Sequence, residues 1–224
     1  RQICELQNFI IAEMRDREAT PREDMISDLV HARTADGGKL TFAEAVSLVR
    51  ALIIAGNDTT ATAIGNLLYV LATQPELAKQ LHENVDDDRF LTRFVEELLR
   101  IEPPVRGLAK MTTRETVLGG RKLPKGAHML VLYASGNDDE KQFACPRTFD
   151  LNRGNIGTHV AFGVGIHRCI GSSLARMEVK VAARELAKRV QDIRLAIPAE
   201  EITYLPTVAT HSIERLPLTF SRRK

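Results

Sequence analysis

A mainly α-helical chain with small β-sheets is the fold class this sequence predicts, on three observations. Apolar residues recur at helical spacing through most of the first hundred positions. From Thr112 onward that rhythm gives way to short β-branched runs separated by glycine and proline. A last helix-like stretch, Ser172 to Val190, then restores it. Helices first, small strands next and one more helix make a helical architecture with small sheets attached.

The elements follow in order. Ile3, Leu6, Ile10 and Met14 mark a first amphipathic helix that ends before Thr20-Pro21, and a second runs from Glu23 to about Ala32. Asp36-Gly37-Gly38 predicts a turn. Thr41 and Glu44 form a T-x-x-E capping box that opens a long helix, which passes Gly56 and ends at Thr73. Gln74-Pro75 starts another, with proline in the first turn, where its missing N–H costs nothing. A further helix covers roughly Asp88 to Ile101 and stops at Pro103-Pro104. Thr112 to Leu118, Gly119-Gly120 and Lys122-Leu123 predict a hairpin, and His128 to Tyr133 a strand. Asn137 to Gly157 is polar and rich in turn residues; strand-like pieces near Ile193 to Ile197 and Leu216 to Phe220 close the chain. The chain opens at Arg1 inside an amphipathic helix, and the expectation is a portion of a longer domain.

Composition bounds the function. The 224 residues are 44% hydrophobic and 27% charged, with 31 Lys+Arg against 29 Asp+Glu, so no basic excess points to nucleic acid. Three cysteines, Cys4, Cys145 and Cys169, are too few and too scattered for a disulfide framework, which fits a reducing, cytoplasmic setting. The longest apolar candidate, Ala43 to Ala72, is broken by Arg50 and by Asn57-Asp58-Thr59-Thr60, so no membrane span is expected.

The chemistry centres on Cys169, in the run Phe162-Gly163-Val164-Gly165-Ile166-His167-Arg168-Cys169-Ile170-Gly171. Glycines on both sides let the backbone press close to something flat, and a helix beginning just after the cysteine biases its thiol toward thiolate. An isolated cysteine is usually a small buried hydrophobe. A zinc reading with His159, His167 and Cys169 fails on spacing, because structural zinc sites need paired ligands. The arrangement suits a thiolate that holds one metal axially. The run reads FxxGxHxCxG, five fixed positions in ten, and resembles the haem-binding loop of the cytochrome P450 family.

Three further stretches carry the same resemblance. Ala55-Gly56-Asn57-Asp58-Thr59-Thr60 is similar to the family's AGxDTT oxygen-binding motif; on its own terms it is a weak point in a helix, able to open a groove beside a ligand. Glu97-Leu98-Leu99-Arg100 matches ExxR, which alone is an ordinary helical charge pair. Phe143, Pro146, Phe149 and Arg153 resemble the meander segment; many members carry an arginine just before the second aromatic, where this chain has Thr148, so Arg153 is the substitute candidate.

The resemblance implies the C-terminal portion of a single haem-thiolate domain over residues 1–224, without its N-terminal portion. It implies haem b with Cys169 as the metal ligand and Phe162, Gly163, His167 and Gly171 as cofactor-binding residues. A thiolate there pushes electron density onto iron and favours O–O cleavage. His167 matches a position that contacts a haem propionate, and Lys110 stands where the family usually has an arginine for that task; lysine pairs with a carboxylate without the bidentate fork. Arg106 is either a compensating cation or a solvent-exposed one. Thr59 would hydrogen-bond dioxygen and its water, and Asp58 would relay protons from solvent. Glu97, Arg100 and Arg153 would form one buried structural network. Ala51, Ile54 and Ala55, Val105, Gly107 and Leu108, and Val208 and Ala209 would line a pocket for a small apolar substrate, and each is equally well explained as core. Arg168, Arg176 and Lys180 are either a solvated helix face or a docking surface for a ferredoxin or flavodoxin-type donor served by an NAD(P)H reductase. The implied function is a monooxygenase. A peroxide-driven peroxygenase, a non-enzymatic haem-binding module and an inactive fragment are the alternatives.

Overall fold

The structure is a computed structural model that describes residues 2–33 and 35–223; Arg1, where the sequence reading opens its first helix, lies outside the described residues. Its helices are α1 (Gln2–Ala19), α2 (Met25–His31), α3 (Phe42–Thr73), α4 (Pro75–Glu83), α5 (Asp88–Ile101), α6 (Tyr133–Asn137) and α7 (Ser172–Arg189). Its strands are β1 (Gly107–Met111), β2 (Thr116–Leu118), β3 (Arg121–Leu123), β4 (His128–Leu132), β5 (Val190–Leu195) and β6 (Leu218–Arg222). The strands make three antiparallel pairs, β1–β4, β2–β3 and β5–β6. Two compact units divide at Asp58/Thr59, inside α3.

In the first unit Ile10 and Met14 of α1, Val30 of α2 and Ala45, Val46 and Val49 of α3 form one buried cluster. Arg17 joins Glu13 (2.6 Å) to Asp24 (2.8 Å), and Asp24 caps α2 by accepting the Ser27 N–H at 2.8 Å. Those bonds hold the Asp24 carboxyl at about 2, below the usual carboxylate range. The capping box of α3 is closed in both directions: Thr41 N–H donates to Glu44 Oε2 at 2.8 Å, and Glu44 N–H to Thr41 Oγ1 at 3.3 Å.

In the second unit Leu67, Val70 and Leu71, Leu81, Leu91, Phe94, Val95 and Leu98, and Val179 and Ala183 bury their side chains together. Each of the Leu, Val and Phe side chains contributes roughly 1.5–3 kcal/mol through burial. Asp87 caps α5 by accepting the Arg89 and Phe90 N–H groups at 2.9 and 3.0 Å, and α5 packs on α7. Residues Leu91, Phe94, Val95 and Leu98 put its apolar stripe inward.

The strands differ most from the sequence reading. Gly107–Met111 pairs with His128–Leu132, Gly107 opposite Leu132 and Met111 opposite His128. Its sequence, Gly-Leu-Ala-Lys-Met, lacks β-branched residues, so only the long-range partner makes it a strand. Gly107 is required by that pairing: a Cβ there would stand 2.7 Å from the Val131 carbonyl. Tyr133, expected to end the strand, begins α6 instead. β5 starts as α7 ends and carries a register irregularity around Asp192, at φ +55°. Helix α3 continues unbroken through Gly56, so the expected weak point is not an interruption. No described helix is long and apolar enough to cross a membrane.

Candidate functional site

Helix α5 supplies the anchor. Glu97 and Arg100 are three apart on its inner face and both are 0% exposed. Arg100 donates to Glu97 through Nε (2.8 Å to Oε2) and Nη2 (2.8 Å to Oε1), a bidentate fork. Glu97 Oε1 also accepts the Arg153 Nε–H at 3.1 Å and the Asp150 N–H at 3.0 Å. Burial pushes the Glu97 carboxyl up, but these donors outweigh it and hold it below the usual range. The arginines spend their other N–H groups on backbone carbonyls. Arg100 reaches Asn137 (2.9 Å) and Pro146 (2.6 Å); Arg153 reaches Ala144 (2.8 Å) and Thr148 (3.2 Å). Both guanidiniums lie over the Phe143 ring, at 5.1 and 5.9 Å. One carboxylate thus ties α5 to an irregular segment with little regular structure of its own. Thr148 contributes only its carbonyl.

Asn137, which sequence reasoning passed over as turn-forming, is fully buried. Its Nδ2 donates to the Arg100 carbonyl at 3.1 Å and its Oδ1 accepts the Val160 N–H at 2.8 Å, linking α5 to the run that leads into the cysteine loop.

The loop is held by its own backbone. Gly163 N–H donates to the Val160 carbonyl at 2.9 Å, Arg168 N–H to Gly165 at 3.0 Å, and Cys169 N–H to Phe162 at 2.9 Å. Gly163 and Gly165 adopt φ of +67° and +73°, values that disfavour any side chain bearing a Cβ. A Cβ at Gly171 would lie 3.9 Å from Cys169 Sγ. α7 opens immediately after, with Gly171 at its N-cap. Cys169 is a free, exposed thiol. Around it Ile166 is 97% and Ile170 89% exposed, with Val164, Leu174 and Met177 also open.

The basic residues of α7 turn out to be occupied. Arg176 turns onto Glu96, Lys180 donates to both oxygens of Asp88 at 3.0 Å, and Arg184 reaches the same carboxylate at 2.9 Å. Of the three expected docking cations, only Arg168 is exposed. His159, weighed as a zinc ligand, bonds Glu96 at 2.8 Å.

The remaining expected residues fall in both units. Ala51, Ile54, Ala55 and Asp58 are exposed on the first-unit part of α3, while Thr59 begins the second unit and is half-buried. Next along the helix, Thr60 Oγ1 donates to Glu178 of α7 at 3.1 Å. Leu108 and Val208 are exposed, Val208 at 78%, so neither is core in this chain. Val105 bridges Thr210, and Arg106 N–H donates to the Ala209 carbonyl at 2.7 Å, so the 105–106 and 209–210 segments lie side by side. Arg106 is exposed; Lys110 is half-buried on β1, and His167 is exposed.

The donor set fits a flat, apolar, singly ligated cofactor. Among the described residues no three His, Cys, Asp or Glu side chains come together as a metal cage, and Cys169 is a lone free thiol, a soft donor type. Open isoleucines and valine flank it, and two glycines remove Cβ atoms from the loop. The family model for cytochrome P450 matches residues 2–191. The chain belongs to the cytochrome P450 family. Its members are haem-thiolate monooxygenases. The chain is 34% identical over 216 residues to cytochrome P450 144 of Mycobacterium tuberculosis, covering 96% of this chain and 48% of the relative. It is 33% identical to the cytochrome P450 monooxygenase PikC of Streptomyces venezuelae, covering 98% of this chain and 52% of that one. Among solved structures it is similar to cytochrome P450 CYP109Q5 of Chondromyces apiculatus, with a TM-score of 0.90 at 37% identity, covering 100% of this chain and 56% of the other. The chain spans about half the length of the curated relatives it matches.

Proposed function

We propose that the protein to which these residues belong is a haem-thiolate monooxygenase, and that this chain is the C-terminal portion of its single haem domain. It would oxidise a small, largely apolar molecule with dioxygen and two electrons from NAD(P)H, delivered by a reductase and a ferredoxin or flavodoxin-type carrier. The carrying observation is the exposed Cys169 thiol in a loop whose glycines sit at positive φ and whose Cys169 N–H is bonded to the Phe162 carbonyl. Bound haem b, with a thiolate feeding electron density to its iron, supplies reductive activation of dioxygen.

Within this reading Cys169 is the ligand. Phe162, Gly163 and Gly171 shape the face beside it, and His167 and Lys110 supply positive charge for the carboxylates of the macrocycle. Glu97, Arg100 and Arg153 would hold the 137–153 segment on α5 as a structural network. Asp58, exposed on α3, would relay protons from solvent toward the site, and the adjacent Thr59 hydroxyl would hydrogen-bond dioxygen and its water. Ala51, Ile54 and Ala55 of α3, and separately Val105, Leu108 and Val208, would offer apolar side chains to the substrate.

The test is the carbon monoxide difference spectrum of the reduced full-length protein. A red-shifted Soret band supports the assignment; haem binding without it sinks the thiolate reading. Thr59→Ala tests the proton step. A positioned acid contributes roughly 10²–10⁴-fold, so product formed per NAD(P)H consumed should fall by about tenfold or more while electron consumption continues. Unchanged coupling would remove Thr59 from the step, and efficient turnover driven by hydrogen peroxide would favour a peroxygenase.

A further inference from the structure

Glu96 and Glu97 are consecutive on α5 and point about 100° apart around the helix. Glu97 grips the 137–153 segment; Glu96 grips His159, just before the cysteine loop, and Arg176 of α7, just after it. Glu96 accepts from His159 Nε2 at 2.8 Å and from Arg176 through Nε and, at 3.1 Å, Nη2. The His159 side chain is fully buried, and its Nδ1 accepts the Ala161 N–H at 3.2 Å, which assigns the ring proton to Nε2. Burial pushes the Glu96 carboxyl up, but the His159 and Arg176 hydrogen bonds outweigh it and hold it at about 2, so it is an anion at any ordinary pH.

The other side of this cluster is Phe162. The Arg176 guanidinium lies 4.3 Å from the Phe162 ring centroid, with its edge on Glu96, and the His159 ring is 6.1 Å from the same ring. The Phe162 carbonyl in turn receives the Cys169 N–H at 2.9 Å. Three parts of the chain, α5, the 159–162 run and α7, therefore meet at one carboxylate, one residue away from the hydrogen bond on which Cys169 rests.

We propose that Glu96, His159 and Arg176 are positioning residues for the Cys169 loop. The ion pair fixes the Phe162 ring, and through the Phe162 carbonyl it fixes the Cys169 amide. A flat guanidinium is needed because it must lie on the ring and meet the carboxylate edge-on at once; a lysine ammonium can do only the second. The assignment rests on the reading of Cys169 as a thiolate ligand.

The experiment compares full-length wild type with Arg176→Lys, which keeps the charge, and Glu96→Gln, which keeps the shape. Leu81→Ala, at a buried position on α4, controls for general loss of stability. Two quantities are read: hydrogen–deuterium exchange at the Cys169 amide, and the decay rate of the red-shifted carbon monoxide band. Arg176→Lys and Glu96→Gln should each accelerate Cys169 exchange at least tenfold and the band decay several-fold. Leu81→Ala should lower Tm and leave both near wild type. Haem lost from both network variants while Leu81→Ala retains it would also support the role. Wild-type exchange and decay in both network variants would overturn it, as would equal changes, or equal loss of haem, in all three. A wild type without the red-shifted band would sink the ligand reading instead, while the exchange comparison would still report on the network.

Discussion

Replacing Cys169 with histidine is expected to abolish the red-shifted carbon monoxide band completely while leaving the surrounding fold in place. The thiol is exposed, so its side chain contributes little to packing. What holds the loop at this point is the Cys169 N–H bond to the Phe162 carbonyl, a backbone interaction that histidine keeps. The effect should therefore separate cleanly, with far-UV circular dichroism and Tm near wild type and the thiolate signature gone. An imidazole also donates less electron density to iron than a thiolate, so dioxygen chemistry should fall with the spectrum. Persistence of the band in the histidine variant would move the ligand to another residue. Cys4 and Cys145, also free and exposed, are then the candidates to replace in turn.

The largest stability effect is expected at Glu97. Glu97→Ala leaves the guanidiniums of Arg100 and Arg153 buried without their carboxylate, and breaking a buried network in this way costs roughly 3–5 kcal/mol. Against a total stability of roughly 5–15 kcal/mol, that threatens folding at physiological temperature. The four donors on Glu97 come from Arg100, Asp150 and Arg153, three to 56 positions away, so the loss should loosen the whole irregular segment. Glu97→Ala combined with Arg100→Ala should cost less than the sum of the two, because the second change removes a charge the first has orphaned. Chemical unfolding of the four proteins measures this; strict additivity would show that the residues do not act as a unit.

The same network sets an acid limit. Glu97 has a folded-state pKa below its ordinary value, so its contribution is fully present above the unfolded-state pKa and is lost as pH falls through the folded one. Glu96 behaves alike, with its loss falling between about 4.5 and about 2.

How much of this was legible in the chain varies residue by residue. Thr41 and Glu44 announce the start of α3 because a capping box is a contact between residues three apart, complete within the local sequence. Glu97 and Arg100 are legible as a pair for the same reason, and their partner Arg153 only by resemblance. Gly107 and Leu108 suggest pocket lining and Lys110 a propionate partner, but nothing in Gly107–Met111 announces a strand, because its partner lies some twenty residues downstream. Glu96 and Asn137 carried no signal at all. A glutamate on a helix and an asparagine in a turn-rich stretch are usually solvated, and only three-dimensional packing brings His159, Arg176 and Val160 to them.

The basic stripe of α7 makes the same point from the other side. Arg176 and Lys180 read as open cations, yet Glu96 and Asp88, 80 and 92 positions away, claim them. By itself, then, the sequence determined the longer helices, the capping box of α3, the Pro75 start of α4 and the cysteine-loop motif, because each is a pattern of neighbours along the chain. Which charges are buried, which partner each one takes and which apolar side chains stay open around Cys169 were decided by the tertiary structure alone. Those properties depend on removing water from particular groups, and a linear chain does not say which groups will lose it.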